Sequence, residues 1–431
     1  MIDSSVHWYF CKDLQQKGGE IMFVIYHEGM KKPIRVWLEN QEQIEESCLE
    51  QAYHLADLPF LHKWVCLMPD THTGKGMPIG GVIAAKDVII PNAVGVDIGC
   101  GMNFVSTDIP VSELRSVTTG NGTLVQAMIS DIMRNVPAGY HSHKTRQSSE
   151  VLDRAQEQDE LYRTNEELYP LIEDAYYQVG TLGGGNHFIE LQEDQKGFLG
   201  IMIHSGSRHF GKRICDEYHQ KARALNQMWY SQVKDEYRLA FLPVDSREGQ
   251  EYITWMKLAM EYAFENRERM MERVKEVVQD KIGKFMNRTV EFSREINCHH
   301  NYAAWERHYD ADVWVHRKGA TRVREGELAV IPGAMGSYSY VVRGKGNPES
   351  FCSSSHGAGR AYSRKGAMEA FTCEQVICDL KEQGVVLGKN KKSDVAEECR
   401  FAYKDIRTVM QNQQDLVEVV TELKTVGVVK G

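Results

Sequence analysis

Residues 80–108, GGVIAAKDVIIPNAVGVDIGCGMNFVSTD, constrain the fold more than any other stretch. Their apolar, β-branched runs are poor in charge and read as buried strands, with the polar residues left to the strand ends. WVCLMPD (64–70) and FLGIMIHSG (198–206) have the same character. Strand ends are where sites form, and a chain of 431 residues is long enough to bury the core such strands need.

Residues 20–40 read as a hairpin around an EGMKKP turn, followed by a short helix at 41–56. The stretches 110–134, 148–178 and 212–290 have apolar spacing near 3.6 and read as helices. Within 249–285 the stripe of Met and aromatic residues is expected to be core rather than a binding surface. From 312 the strand-like pieces DVWVHRKGATRV, GELAVIPG and SYSYVVRG return, then a helix near 363–384 and a last segment ending GVVKG. No internal repeat or Pro- and Ser-rich linker marks a boundary. The expectation is an α+β fold: one domain over residues 1–431 with mixed and antiparallel sheets and a helical insertion at about 212–290.

A net charge of −9 argues against a uniformly basic surface that coats nucleic acid, though not against a local basic groove. The N-terminal MIDSSVHWYFCKDLQQ lacks the basic and apolar regions of a signal peptide, and no stretch reaches the roughly 18 apolar residues of a membrane span, so a cytoplasmic protein is expected. The 10 cysteines form no CxxC and no short framework, which in a reduced cytosol makes most of them small buried hydrophobes.

Metal-capable residues gather in glycine-rich or apolar settings. GVDIGCGM (95–102) holds Asp97 and Cys100 in a tight turn, where a carboxylate and a thiolate can converge on one ion and the sulfur can bridge two. Alone, the same motif is equally a strand-end turn with a capping Asp and a buried Cys. GTLGGGNHFIEL (180–191) offers His187, MIHSGSRHFG (202–211) offers His204, and NCHHNYA (297–303) offers His299 and His300. Adjacent residues of a strand face opposite sides, so His300 is the candidate ligand and His299 the structural member. Asp97, Cys100, His187, His204 and His300 exceed the four ligands of a closed zinc site, which favours a two-metal centre for phosphoryl transfer. HRKGATR (316–322), with Arg317, Lys318 and Arg322, and the glycine- and serine-rich PGAMGSYSY (332–340) read as anion-handling segments. FCSSSHGAGRAYSR (351–364) places His356 in a turn of small residues followed by Arg360 and Arg364.

Taken in order, MPDTHTGKGMPIGG, GVDIGCGM, GGGNHF, HSGSRHFG, CHHNYA, HRKGAT, PGAMGS, HGAGR and a terminal VVKG resemble the RtcB family of GTP-dependent RNA ligases from about residue 62 to 431. The resemblance implies a buried site with two Mn(II) ions held by Asp97, Cys100, His187, His204 and His300, with Cys100 as bridging thiolate. It implies that His356 is guanylylated by GTP and that Asp70 lies near the catalytic centre. The implied nucleotide-binding set is Asn186, His187, Phe188, Ile189, Glu190, His300, Asn301, Pro332, Gly333, Ala334, Met335, Ser339, His356, Gly357, Ala358, Gly359, Tyr403 (the aromatic for guanine) and Lys430. The implied partners are GTP and RNA with 2′,3′-cyclic phosphate or 3′-phosphate ends and 5′-hydroxyl ends, as in tRNA splicing or RNA repair. An activating protein is admitted, no membrane is implied, and the chain is expected to be a monomer. Two departures bear on the guanine pocket: VAEECRFAYKD lacks a proline common in the family before AYKD, and PGAMGS stands where PGSMGT is frequent. The alternatives are a binuclear metal phosphoesterase acting on RNA cyclic phosphate ends without ligation, which leaves His356 and Lys430 without roles, and a non-catalytic RNA-binding module.

Overall fold

The computed structural model describes residues 22–120, 122–389 and 394–431; Cys11 and the N-terminal start of the expected hairpin lie outside them. Two sheets organise the chain. In the smaller, strands run in the order Phe23–Ile25, Ile34–Val36, Leu61–His72, Ile79–Ala85, Ala311–Lys318 and Asn301–His308. Neighbours are antiparallel except Ile34–Val36 beside Leu61–His72. The larger runs Phe292–His299, Gly101–Pro110, Phe198–Ser205, Phe188–Asp194, Val417–Lys430, Tyr338–Gly344 and Leu328–Ile331, with Val386–Gly388 added parallel to Val417–Lys430. The result is an α+β fold with mixed sheets.

Both faces of the larger sheet are apolar and both are covered. Val105, Ile201 and Ile203 meet Met270, Met271, Val274 and Val278 of the long helix Arg247–Met286. Their strand neighbours Met102, Phe104 and Met202 point the opposite way, onto Val376, Leu380, Val395 and Ala402. This period-2 division is what a sheet buried on both sides requires. The Met and aromatic stripe of the long helix is core, as expected: Tyr252, Trp255, Met256 and Tyr262 pack with Phe210, Ile214 and Tyr218 of helix Arg208–Met228.

Several expected elements are broken by local chemistry. The run 80–108 is not continuous strand, because Pro91 opens a one-turn helix, Pro91–Val94, that ends at Gly95. The stretch 110–134 divides into Val111–Ser116 and Leu124–Asn135 around a small hairpin, and a capping box between Thr123 and Gln126 restarts the helix. A second capping box, Thr372 with Gln375, splits 363–384 into Arg364–Ala370 and Cys373–Glu382. The region 212–290 holds two helices, Arg208–Met228 and Arg247–Met286, and the second runs directly beneath the functional site. Among the described residues no helix is long and apolar enough to cross a membrane.

Candidate active site

The metal-capable residues meet because one end of the larger sheet collects them. Cys100 immediately precedes Gly101–Pro110, His187 precedes Phe188–Asp194, His204 closes Phe198–Ser205, and His300 follows Phe292–His299. In antiparallel neighbours, starts and ends alternate, so all four lie at the same edge. His300 is also the residue at which the chain leaves the larger sheet for the smaller, and its backbone N–H donates to Cys100 O at 2.8 Å. Gly99, with φ of 76°, sets the turn that presents Asp97 and Cys100; a Cβ there would stand 2.9 Å from Ala263 Cβ and Met260 Cα of the long helix.

The Cys100 Sγ lies 3.5 Å from His187 Nε2 and 3.4 Å from His204 Nε2, and His204 Nε2 lies 3.4 Å from His300 Nε2. Asp97 Oδ2 is 3.1 Å from His187 Nε2. Two overlapping groups result, Asp97–Cys100–His187 and Cys100–His204–His300, with ligand atoms in each within 4.8 Å of one another. The sulfur belongs to both. His187 Nδ1 donates to Leu182 O at 2.9 Å and His204 Nδ1 to Asn186 O at 3.1 Å, so each ring turns its Nε2 lone pair inward. Burial holds His204 and His300 far below the ordinary histidine range, with His187, His204 and His356 adding to the effect between them. Burial, then the charge of Asp97, pushes the Cys100 thiol well up. Facing lone pairs at such distances repel one another unless a cation lies between them, and a bound divalent cation reverses the thiol's preference to thiolate. This donor set fits two metal ions sharing one sulfur.

His299 turns away, its Nδ1 near Gly99 O and Arg267, as a structural histidine should. Arg267, fully buried, ties the long helix to this end of the sheet through Gly99 O and Ser205 O. Neighbouring Asn266 donates to Thr181 O and Gly206 O.

Beside the cluster, His356 stands with its ring 4.7 Å from that of His300. Asp70 Oδ2, wholly buried, accepts from His356 Nδ1 at 2.6 Å and from the backbone N–H groups of His356 and Gly357. The three serines before His356 form the buried strand Ser353–Ser355, paired with Ala320–Arg322. They are framework for the histidine rather than surface loop.

A cavity of about 490 Å³ opens over His356 and the cluster, within the range of small-molecule sites. Asp97, Cys100, Asn186, Phe188, Glu190, His204, His300, Asn301, Pro332, Gly333, Ala334, Met335, His356, Gly357, Ala358, Gly359, Tyr403 and Lys430 all line it. Ile189 does not: strand alternation turns it into the core with Val125 and Ile129. Ser339 lies beneath the Pro332–Met335 loop, its Oγ accepting the Gly333 N–H at 3.1 Å. Burial pushes the Glu190 carboxyl up to about 7 despite Gln192 and Lys430.

Glu398, which sequence reasoning missed, organises the far wall. It accepts from the Tyr403 hydroxyl at 2.6 Å, Arg360 Nη1 at 3.1 Å and Lys430 Nζ at 3.4 Å. Burial favours its neutral form, but Lys430, Tyr403 and Arg360 outweigh it and hold the carboxyl below the usual range. Nothing in AEE distinguishes this glutamate before the fold brings its partners to it. Two of the expected anion-handling residues are structural: Arg317 is buried against Glu306, Ser353 Oγ and Phe351 O, and Arg322 pairs with Glu327. Lys318 does line the cavity, its Nζ donating to Lys75 O and Asn92 O.

The fold and site together define an α+β protein with a cluster of Asp, Cys and His side chains, two donor groups sharing one sulfur, at the end of a sheet and facing a cavity. The chain belongs to the RtcB family: the family model described as tRNA-splicing ligase RtcB matches residues 51–431. Relatives include RNA-splicing ligase RtcB1 of Escherichia coli strain ATCC 25922 and RNA-splicing ligase RtcB of Escherichia coli K12, each 37% identical over 410 residues, covering 93% of this chain and 97% of the relative. The tRNA-splicing ligase RtcB of Methanococcus maripaludis is 32% identical over 473 residues, covering 95% of this chain and 97% of its own length.

Proposed function

We propose that the chain is a GTP-dependent RNA ligase that joins 3′-phosphate or 2′,3′-cyclic phosphate ends to 5′-hydroxyl ends, with His356 as the guanylylated residue. The observation that carries this reading is the Asp70–His356 pair. Asp70 Oδ2 already accepts two backbone N–H groups, so it is the acceptor and His356 Nδ1 the donor at 2.6 Å. That fixes the tautomer and leaves the Nε2 lone pair free as nucleophile. Attack on the α-phosphorus of GTP forms an N–P bond and releases pyrophosphate. Asp70 then balances the positive charge that develops on the ring, as the orienting carboxylate does in other histidine-centred sites.

Two Mn(II) ions held by Asp97, Cys100, His187, His204 and His300 would supply phosphate-charge neutralisation and Lewis acidity to the transfers. Opposite them, Phe188, Tyr403, Glu190 and the Pro332–Met335 loop offer an aromatic-lined, partly polar wall for the purine. The RNA 3′-phosphate displaces His356 from the guanylyl phosphorus, and the 5′-hydroxyl then attacks the activated phosphate with loss of GMP. Cyclic ends are opened by water first. With Mn(II) and GTP, RNA carrying these ends should be joined; opening of cyclic ends without joining, whether or not GTP is present, would instead establish the phosphoesterase alternative.

A further inference from the structure

A glycine loop borders the cavity, and the two sides of that loop differ in chemistry. Asn186 lines the cavity, and Gly183–Gly185 precede it. Gly185, with φ of 69°, lies against the guanidinium of Arg364, so that a Cβ there would stand 2.7 Å from Nη2. On the other side Gly184 abuts Gly139, whose neighbour Tyr140 is wholly exposed. No hydrogen bond, ring contact or ion pair engages the Tyr140 side chain among the described residues.

The backbone around Tyr140 is nonetheless fixed. The Gly139 N–H donates to Gly183 O at 2.8 Å, and Arg208 Nη2 donates to Gly139 O at 3.0 Å. Beyond the tyrosine, the His143 N–H donates to Tyr177 O at 2.8 Å and the His143 ring contacts Arg273 Nη1 at 2.8 Å. A rigid backbone that projects an unengaged ring into water gains nothing from the fold itself. Exposed Lys144 follows and has no ion pair among the described residues, whereas the Lys389 side chain, beside Gly139, is buried and engaged by Asp394 and Gly431 O. An exposed, unengaged aromatic ring followed by the exposed Lys144, next to the loop that borders the cavity, suits single-stranded nucleic acid: bases stack on the ring while cations follow the backbone. The other highly exposed tyrosine, Tyr230, lacks this continuity, since it follows the 21-residue helix Arg208–Met228. That helix carries it about 30 Å from the end nearest the site.

We propose that Tyr140 is a stacking platform for an unpaired base of the RNA strand whose end enters the cavity. The proposal rests on the RNA-ligase reading for its choice of partner. Its test measures binding of labelled single strands to the full chain in two arms, one strand ending in a 3′-phosphate and one carrying a 5′-hydroxyl with its 3′ end blocked, beside a fully paired RNA duplex. Tyr140→Ala should bind at least one single strand about tenfold more weakly, while Tyr140→Phe and Tyr140→Trp bind like the wild type and the duplex is unaffected. The arm that weakens identifies the strand on the platform. Each variant should still form the covalent adduct with α-labelled GTP, a reaction that needs no RNA, so a missing adduct in the wild type would count against the ligase reading and not against the platform. Unchanged binding of both single strands by Tyr140→Ala, or equal weakening on the duplex, would overturn the proposal.

Discussion

Asp70 is the smallest feature on which the proposed chemistry depends. One carboxylate oxygen holds the ring and the backbone of His356 at once, so the nucleophile is oriented before any substrate arrives. Asp70→Asn keeps the size, and its amide oxygen, held by the two backbone N–H groups, still accepts from Nδ1, but the negative charge that balances the developing imidazolium is gone. The adduct with GTP should then form roughly 100-fold or more slowly while GTP binding by equilibrium titration changes little; an unchanged labelling rate would remove Asp70 from the mechanism. Cys100→Ala should lose bound metal and activity together, because both ligand groups share that sulfur; full metal occupancy of the variant, measured by elemental analysis, would contradict the shared-sulfur centre.

At the scale of elements, two placements matter most. Gly99 lets the turn that carries Asp97 and Cys100 lie against the long helix, where an added Cβ would meet Met260 and Ala263. Gly99→Ala is expected to cost about 1–3 kcal/mol in denaturant unfolding and to weaken metal binding as the turn shifts. In the smaller sheet Arg317 and Glu306 form a buried pair between the adjacent strands Asn301–His308 and Ala311–Lys318. Burial alone would raise the Glu306 carboxyl, but Arg317, with His308, holds it well below the usual range. A depressed folded pKa stabilises the protein above the ordinary glutamate value, about 4.3, and that stabilisation is lost as pH falls through the folded value. Glu306→Gln should therefore cost about 3–5 kcal/mol at neutral pH and flatten the loss of stability in acid; the same acid slope as the wild type would show that the pair does not set it. HRKGATR looked like an anion clamp for this reason: the sequence displays the arginine, but only strand pairing shows that Glu306 already occupies it.

Across the whole molecule, the site is where the sheets meet. The chain crosses from one to the other at His300, and the candidate ligands sit at one edge of the larger sheet, so a metal bound there would tie distant segments together. Stripping metal with a chelator should lower the thermal midpoint and Mn(II) should restore it, as expected for a ligand that binds only the folded state; an unmoved midpoint would indicate that the ligands lie outside the cooperative core. Several strands were legible from their apolar runs, and the members of the Asp, Cys and His cluster from residue type in glycine-rich or apolar settings. The helix breaks at Thr123 and Thr372 were hidden because a capping residue competes with a continuing apolar period. Ile189 turned inward because a motif names consecutive residues while a strand shares them between two faces. Glu398 had no signal of its own, since its role is made by Tyr403, Arg360 and Lys430 arriving from elsewhere.

The central claim is that His356 is a covalent carrier of GMP. Incubation with α-labelled GTP and Mn(II), followed by denaturation and peptide mapping, should find an acid-labile, alkali-stable label on the peptide containing His356 and none in His356→Ala. A wild-type protein that stays unlabelled, or a label that persists in His356→Ala, would contradict it.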